Sequence, residues 1–309
     1  MDKILSAAQT RAADQYTIAH EPITSLDLME RASRAFVRCF QKHLKSSQSI
    51  HVICGPGNNG GDGLAIARML KEAGHEVHCS LVDFARLSPD CESNLRRLEG
   101  LLPVERIKDS QALELKGALI VDALFGSGLN RSVTGLPGEV IEVINASQLP
   151  VVSVDIPSGL FADKLEVTGS IMEARLTITF QLPKLSFLIP ESGRFVGEWE
   201  AVGIGLSSDF IARQEGPYFL VDQEAVAAML PVRPKFAHKG SFGRVQIVAG
   251  SKGKMGAALL CGEACLKSGA GLLTVHVPGV GLNPIQTVLK EAMATVDDCS
   301  NHVSDVPEL

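Results

Sequence analysis

Residues Ser49-Ile50-His51-Val52-Ile53-Cys54-Gly55-Pro56-Gly57-Asn58-Asn59-Gly60-Gly61-Asp62-Gly63-Leu64-Ala65-Ile66-Ala67-Arg68-Met69 decide how the rest of the chain is read. An apolar strand enters a loop with five glycines, and a helix of small apolar residues leaves it. A turn of this kind gathers backbone N–H groups at a helix N-terminus, where donors and dipole favour an anion such as phosphate. Asn58, Asn59 and Asp62 add side-chain donors and acceptors at the same mouth. Glycines in a tight turn can also serve only to supply positive φ angles. A turn needs one or two for that purpose, so the stretch predicts a ligand site.

Outward from this turn, strands and helices alternate. Before it, Ser6 suits the N-cap of an Ala-rich helix over 6–20. A second helix from Thr24 sets Leu28, Ala32, Ala35, Phe36, Cys39, Phe40 and Leu44 on one apolar stripe, with Glu30, Arg31, Arg34, Arg38 and Lys42 on a solvated face. After it, strands are predicted at 50–54, 76–82, 118–122, 151–155, 176–180 and 186–189, and helices at 63–73, 89–98 and 137–145. Unpatterned apolar strands alternating with helices mean a parallel sheet covered on both faces. The expectation is one doubly wound α/β domain over 1–210. Periodicity lapses at 207–217, and a fresh unit follows: a strand at 244–249, a helix at 256–267 and a strand at 272–277. That unit ends too soon for an ordinary α/β domain.

Composition bounds the function. The net charge of −6 argues against nucleic acid or an anionic membrane as partner. One Trp and two Tyr offer no stacking platform for bases. No apolar run approaches membrane-spanning length, and Met1–Leu5 has no leader-like character. The seven cysteines lack the Cys-x-x-Cys spacing of a zinc site, and Cys261 and Cys265 read as buried core thiols. A reducing cytoplasm is the expected compartment.

In a parallel sheet all strands end on one side, and ligands sit there where the strand order reverses. Three strands here end in chemically loaded loops: Gly55–Gly63, Asp122-Ala123-Leu124-Phe125-Gly126-Ser127-Gly128-Leu129-Asn130-Arg131, and Asp155-Ile156-Pro157-Ser158-Gly159. The fold therefore predicts that Asp62, Asp122, Asp155 and Ser158 face one crevice. These loops contain no histidine, so a carboxylate must carry any proton transfer. Their donors are oxygens, which suit a hard cation. Arg131 either meets a phosphate or is a solvated loop residue. The phosphate loop of nucleoside triphosphatases is excluded, because Leu64 follows Gly63 where Lys is required. Gly55-Pro56-Gly57-Asn58-Asn59-Gly60 fits the dinucleotide fingerprint weakly, and Asp83 stands only loosely where that motif wants its acid.

Taken together, these three motifs in this order and spacing resemble the YjeF N-terminal family, NAD(P)H-hydrate epimerases with a Rossmann-like fold. The resemblance covers residues 1–210. Over 235–290, Lys239-Gly240-Ser241-Phe242-Gly243-Arg244, Val248-Ala249-Gly250, Gly256-Ala257-Ala258 and Gly269-Ala270-Gly271-Leu272 resemble the start of a ribokinase-like dehydratase domain. In bifunctional bacterial members that domain follows the epimerase and removes water from the same hydrate using ADP or ATP. The implied architecture is a Rossmann-like, doubly wound, mostly parallel sheet over 1–210 and an incomplete ribokinase-like α/β domain over 211–309.

The resemblance also implies a site. Asn58, Asn59, Gly60, Gly61 and Asp62, with Gly126, Ser127, Gly128, Leu129, Asn130, Arg131 and Ser132, would hold NADH or NADPH hydrate. Asp155 would contact the ligand and act as acid–base group. Asn59, Asp122 and Ser158 would ligate potassium (K+). Ala257 aligns with a substrate-contacting position of the dehydratase. The Gly-x-Gly-Asp loop of such dehydratases is missing, since the chain's one Gly-Asp pair is Gly61-Asp62. No ADP- or ATP-dependent dehydration is therefore expected. The family often associates through this domain, so a homo-oligomer is a further expectation. The competing reading is a non-catalytic nucleotide-binding or scaffold module, which has no need of Asp62, Asp122 and Asp155 together. A dehydrogenase fits less well, lacking a catalytic histidine in these loops.

Overall fold

Two helices lead into the glycine-rich turn, and both start where side chains close their first turn. The computed structural model describes residues 2–45, 48–164 and 166–307. A two-residue strand β1 (Asp2–Lys3) precedes α1 (Ala7–His20) and α2 (Ser25–Phe40). Ser6 and Thr24 cap these helices in reciprocal pairs with Gln9 and Asp27. The sheet then builds through β2 (Ile50–Cys54), α3 (Asn58–Glu72), β3 (Val77–Val82), α4 (Pro89–Leu98) and β4 (Val104–Ile107). It continues as β5 (Leu119–Ala123), α5 (Leu136–Ala146), β6 (Val151–Val154), β7 (Leu176–Phe180), α6 (Gly193–Val196) and β8 (Glu198–Val202). After these come α7 (Ser208–Arg213), β9 (Phe219–Leu220) and α8 (Gln223–Met229).

Seven strands lie parallel in the order β4-β3-β2-β5-β6-β7-β8. One face carries Phe36, Phe40, Leu64, Ile66 and Leu70 from α2 and α3 against Val52 and Val121. The other carries Val140, Ile141 and Ile144 of α5 against Ile53 and Ile120. Each such side chain contributes roughly 1.5–3 kcal/mol by leaving water. The doubly wound α/β expectation is met. On the charged face of α2, Glu30 is not simply solvated: it pairs with Arg68, and with Arg97 at 2.7 Å.

Some local expectations change. Residues 186–189 form no strand; Leu185–Leu188 and Pro190–Ser192 are 3-10 turns, and Pro190 cannot donate to a ladder. The strand pairing with β7 is β8, whose Glu-Trp-Glu-Ala-Val sequence mixes charge into an edge position. β4, at the opposite edge, is equally polar and was not anticipated. The helix after the glycine turn begins at Asn58, five residues before Gly63.

The chain divides into two compact units, Met1–Ala227 and Ala228–Leu309. Antiparallel pairing of β1 with β9 keeps residues beyond 210 in the first unit. The second unit holds β10 (Arg244–Val248), α9 (Met255–Lys267), β11 (Leu272–Val277), α10 (Leu282–Val288) and β12 (Met293–Val296). Its three strands are parallel, with Ile247, Ala258, Leu273, Val275 and Ile285 at the core. α9 turns Ala258 and Gly262 inward, so Cys261 is exposed and Cys265 half-buried, contrary to their reading as buried thiols.

Candidate active site

The connections from β2 and β5 lead to opposite edges, so the strand order reverses between their C-terminal ends. A cleft of about 740 Å3 opens there. Four of the five glycines after β2, Gly55, Gly60, Gly61 and Gly63, are required by space and not by turn angles: none of the five has a positive φ, and only Gly57 has room for a Cβ. A Cβ on Gly60 would lie 1.7 Å from the Gly55 carbonyl oxygen, and one on Gly55 would lie 2.0 Å from that of Leu124. This close packing puts the start of α3 directly on the strand ends. Gly57, its N-cap, has no side chain to bond the first N–H groups. Those donors and the positive end of the helix dipole are left for a ligand.

Asn58, Asn59 and Asp62 line the cleft, as do Gly126, Ser127, Gly128, Leu129, Asn130, Arg131 and Asp155. Gly60 and Gly61 are buried in the first turn of α3 behind that wall. Ser132 lies outside the lining and shares a 2.7 Å hydrogen bond with Thr168. Ala257 sits exposed on α9 in the second unit and is not among the lining residues.

Asn59, Asp122 and Ser158 do come together below the cleft. Sheet register places Asp122 opposite Ile53 on one side and Ser153 on the other. Its carboxylate accepts from the Ser153 hydroxyl at 2.8 Å, the Ser158 N–H at 2.9 Å and the Ser158 hydroxyl at 2.5 Å. The Ser158 hydroxyl oxygen accepts from the Phe125 N–H at 2.9 Å, and Asn59 Nδ2 donates to the Phe125 carbonyl at 2.9 Å. Asp122 is fully buried, and no cationic side chain among the described residues pairs with it. Burial pushes its carboxyl up, against the hydrogen bonds from Ser158, Ser153 and Leu124.

Asp155 directly follows β6 with φ 66°, in the left-handed region, and its N–H donates to the Ile178 carbonyl at 2.9 Å. Such strain persists where the surroundings over-determine it, commonly at functional positions. Lys184 Nζ lies 2.9 Å from Asp155 Oδ1, with the two side chains 3% and 11% exposed. Lys184 also donates to the Phe180 and Leu182 carbonyls. Burial opposes ionisation of Asp155, but Lys184, the Phe180 N–H and the Ser127 hydroxyl outweigh it and hold the carboxyl below its usual range.

Two more carboxyls share the cleft. Burial, helped by the charges of Asp155 and Asp14, pushes Asp62 well above the normal carboxylate range. Asp14 on α1 is pushed up to about 6 by burial and then by Asp155, while Lys184 and Arg11 pull it back. Arg11 reaches the Gly126–Arg131 loop, where a Cβ on Gly128 would meet its Nη2 at 2.9 Å. Sequence reasoning missed Lys184, Arg11 and Asp14. For Lys184 a signal existed: it follows the C-terminal end of β7, the next strand along the same sheet edge.

The cleft holds no Cys or His among its lining residues. Elsewhere, Cys39 of α2 and His43, in the turn just after that helix, do meet Glu200 of β8, a Cys–His–Glu grouping the sequence spacing did not suggest. Hydrogen bonds already account for it. The thiol, pushed up to about 12 by burial and then by Glu200, donates to that carboxylate at 3.1 Å, and the imidazole lies 2.7 Å from its other oxygen.

Residues 25–186, more than half of the chain, match the family described as YjeF-related protein N-terminus. The chain belongs to the YjeF N-terminal family. Residues 245–306 match a second family, described as NAD(P)H-hydrate dehydratase. An NAD(P)H-hydrate epimerase of Weissella koreensis is 36% identical, over 70% of this chain and 98% of that protein. One from Limosilactobacillus fermentum is 39% identical, over 63% of this chain and 94% of the relative. The bifunctional NAD(P)H-hydrate repair enzyme Nnr of Moorella thermoacetica is 34% identical over 98% of this chain, which spans 58% of that protein. The chain thus spans little more than half the length of the bifunctional relatives it matches. The crystal structure of yeast ynu0 shares the fold, with a TM-score of 0.56 at 23% identity, covering 72% of this chain and 98% of that one.

Proposed function

We propose that the YjeF N-terminal unit interconverts the R and S forms of NADH or NADPH hydrate. The observation that carries this reading is the buried Asp155–Lys184 pair at the cleft, in a chain that matches named NAD(P)H-hydrate epimerases over nearly their whole length. The uncapped start of α3, with Asn58, Asn59, Gly60, Gly61 and Asp62, faces the dinucleotide diphosphate. Gly126 to Arg131 hold it from the other side, with Arg11 and Arg131 supplying positive charge, while Ser132 ties the end of that loop to Thr168. Protonation of the enamine in a dihydronicotinamide ring directs water to the carbon beside nitrogen, so that carbon is the stereocentre. Asp155, held as a carboxylate by Lys184, takes and returns the proton that inversion at this carbon requires.

The oxygens of Asn59, Asp122 and Ser158 suit potassium, and a cation would neutralise an Asp122 carboxylate that is buried without a counter-charge. Asn59, Asp122 and Ser158 would hold it, and it would supply positive charge beside the buried Asp122 carboxylate. The second unit carries no Gly-x-Gly-Asp loop, so we assign these 309 residues no ADP- or ATP-dependent dehydratase turnover. No helix among the described residues is long and apolar enough to cross a membrane. The seven free cysteines support a reducing, cytoplasmic setting. Nucleic acid is not a partner on this reading, and self-association through the first unit is tested by light scattering.

The deciding experiment supplies mixed R and S hydrates with an excess of purified S-specific dehydratase. Added protein should make the residual R form disappear, faster in potassium than in sodium. Persistence of the R form leaves a ligand-binding module as the better reading.

A further inference from the structure

Inversion at a carbinolamine carbon through C–O cleavage needs a proton donor for the departing hydroxyl and an acceptor for the incoming water. Asp155 is committed to the ionised state by Lys184 and begins as the acceptor. The donor must be a carboxyl that lines the cleft and still exchanges protons with solvent. Asp62 lines the cleft, but its charged form is strongly disfavoured by burial. Asp14 meets both demands. With Ala7, Thr10, Arg11 and Ile18, it belongs to a stripe of α1 at three- and four-residue spacing that faces the cavity. The helix is fixed by its capping box, by buried Ala13 and Thr17, and by a 3.1 Å bond from the Ser207 N–H to the Thr17 hydroxyl. Its carboxyl takes no hydrogen bond from the described residues. The charges that face it are Asp155 from the end of β6, Lys184 from the turn after β7, Asp62 from α3 and Arg11 from its own helix.

Resting on the epimerase reading, we propose that Asp14 is a second catalytic carboxyl, working as proton donor in a pair with Asp155. Asp14 gives its proton to the hydroxyl as the C–O bond breaks, and water leaves while the ring nitrogen's lone pair forms a C=N bond. Water then adds to the opposite face, forming the new C–O bond, and its surplus proton passes to Asp155. The hydrate leaves with the same composition, its hydroxyl oxygen now that of the incoming water, and one proton has moved from Asp14 to Asp155. Exchange with solvent, or turnover in the reverse direction, restores the pair.

The test compares wild type, Asp14→Asn, Asp14→Glu and Asp155→Asn, separating the two epimers by chromatography so that no coupling enzyme is needed. Asp14→Asn should lose at least about a hundredfold in kcat with KM within about threefold. The wild-type rate should fall as pH rises through about 6, where Asp14 loses its proton, and that limb should vanish in Asp14→Asn. Asp14→Glu should restore part of the rate. The Asn variant should fold, because it removes a carboxyl whose ionisation burial disfavours, and the wild-type pH limb is a second readout that needs no variant. An Asp14→Asn protein within threefold of wild-type kcat, or one that keeps the limb near pH 6, overturns the proposal while an inactive Asp155→Asn leaves the epimerase reading standing. A wild-type protein that does not epimerise overturns both.

Discussion

Replacing Lys184 with Met would leave the carboxylate of Asp155 buried without its counter-ion. Methionine keeps much of the aliphatic stem, so packing changes little. What is lost is the 2.9 Å contact to Asp155 and the donors to the Phe180 and Leu182 carbonyls. Removing one member of a buried pair costs about 3–5 kcal/mol. Asp155 keeps hydrogen bonds from the Phe180 N–H at 3.2 Å and the Thr179 hydroxyl at 3.3 Å, so the lower end, about 3 kcal/mol, is expected at neutral pH. In wild type the Asp155 pKa lies below its ordinary 3.8, so its stabilising contribution is present above that value and is lost as pH falls through the folded pKa. Without Lys184, burial lifts the folded pKa above 3.8, and the penalty of the orphan charge disappears as pH falls through that raised value. The gap between variant and wild type should therefore narrow from pH 7.5 to pH 4. Urea unfolding followed by Trp199, the single tryptophan, which stands on β8, reports on the first unit alone. Adding Asp155→Asn removes the orphan charge, and the double variant should recover about 2 kcal/mol. A Lys184→Met deficit under about 1 kcal/mol, or one that does not shrink toward pH 4, refutes the reasoning.

Gly60→Ala should cost about 3 kcal/mol or more, because its Cβ would overlap the Gly55 backbone oxygen. Gly57→Ala, which meets nothing within 4 Å, should cost only about 1 kcal/mol, the N-cap preference for Gly over Ala; equal effects in the two variants would show that the turn is not built on close packing. Thermal unfolding of the first unit should shift upward in potassium chloride relative to choline chloride, and Asp122→Asn should abolish the shift. A shift that survives in Asp122→Asn places the cation elsewhere. Incubating the 309-residue protein with S hydrate and either ATP or ADP should give no reduced cofactor above the uncatalysed rate, and turnover there would contradict the assignment made to the second unit.

Much of the sheet was legible because its central strands, β2, β5 and β6, are buried on both faces and read as unbroken apolar runs. The edges were not, since β4 and β8 carry charge toward solvent and lose the signal that a buried strand must show. The site divides in the same way. Asp122 and Asp155 each end an apolar run and are followed by glycine, a pattern that a parallel sheet turns into a shared crevice. Lys184 was hidden by its successors: Ser186 to Ile189 look like a strand, which draws attention away from the turn that carries the lysine. Asp14 gave no local signal at all, because an acid in an Ala-rich helix is ordinarily a surface residue. The legible acids give the location of the chemistry but not its direction. Lys184, with the Phe180 N–H and the Ser127 hydroxyl, holds Asp155 as a carboxylate, and the seating of α1 at the cleft brings in Asp14, whose carboxyl burial and Asp155 push up to about 6. Local pattern could assign the crevice, whereas the division of acid and base within it depends on charges brought together from α1, α3, β6 and the turn after β7.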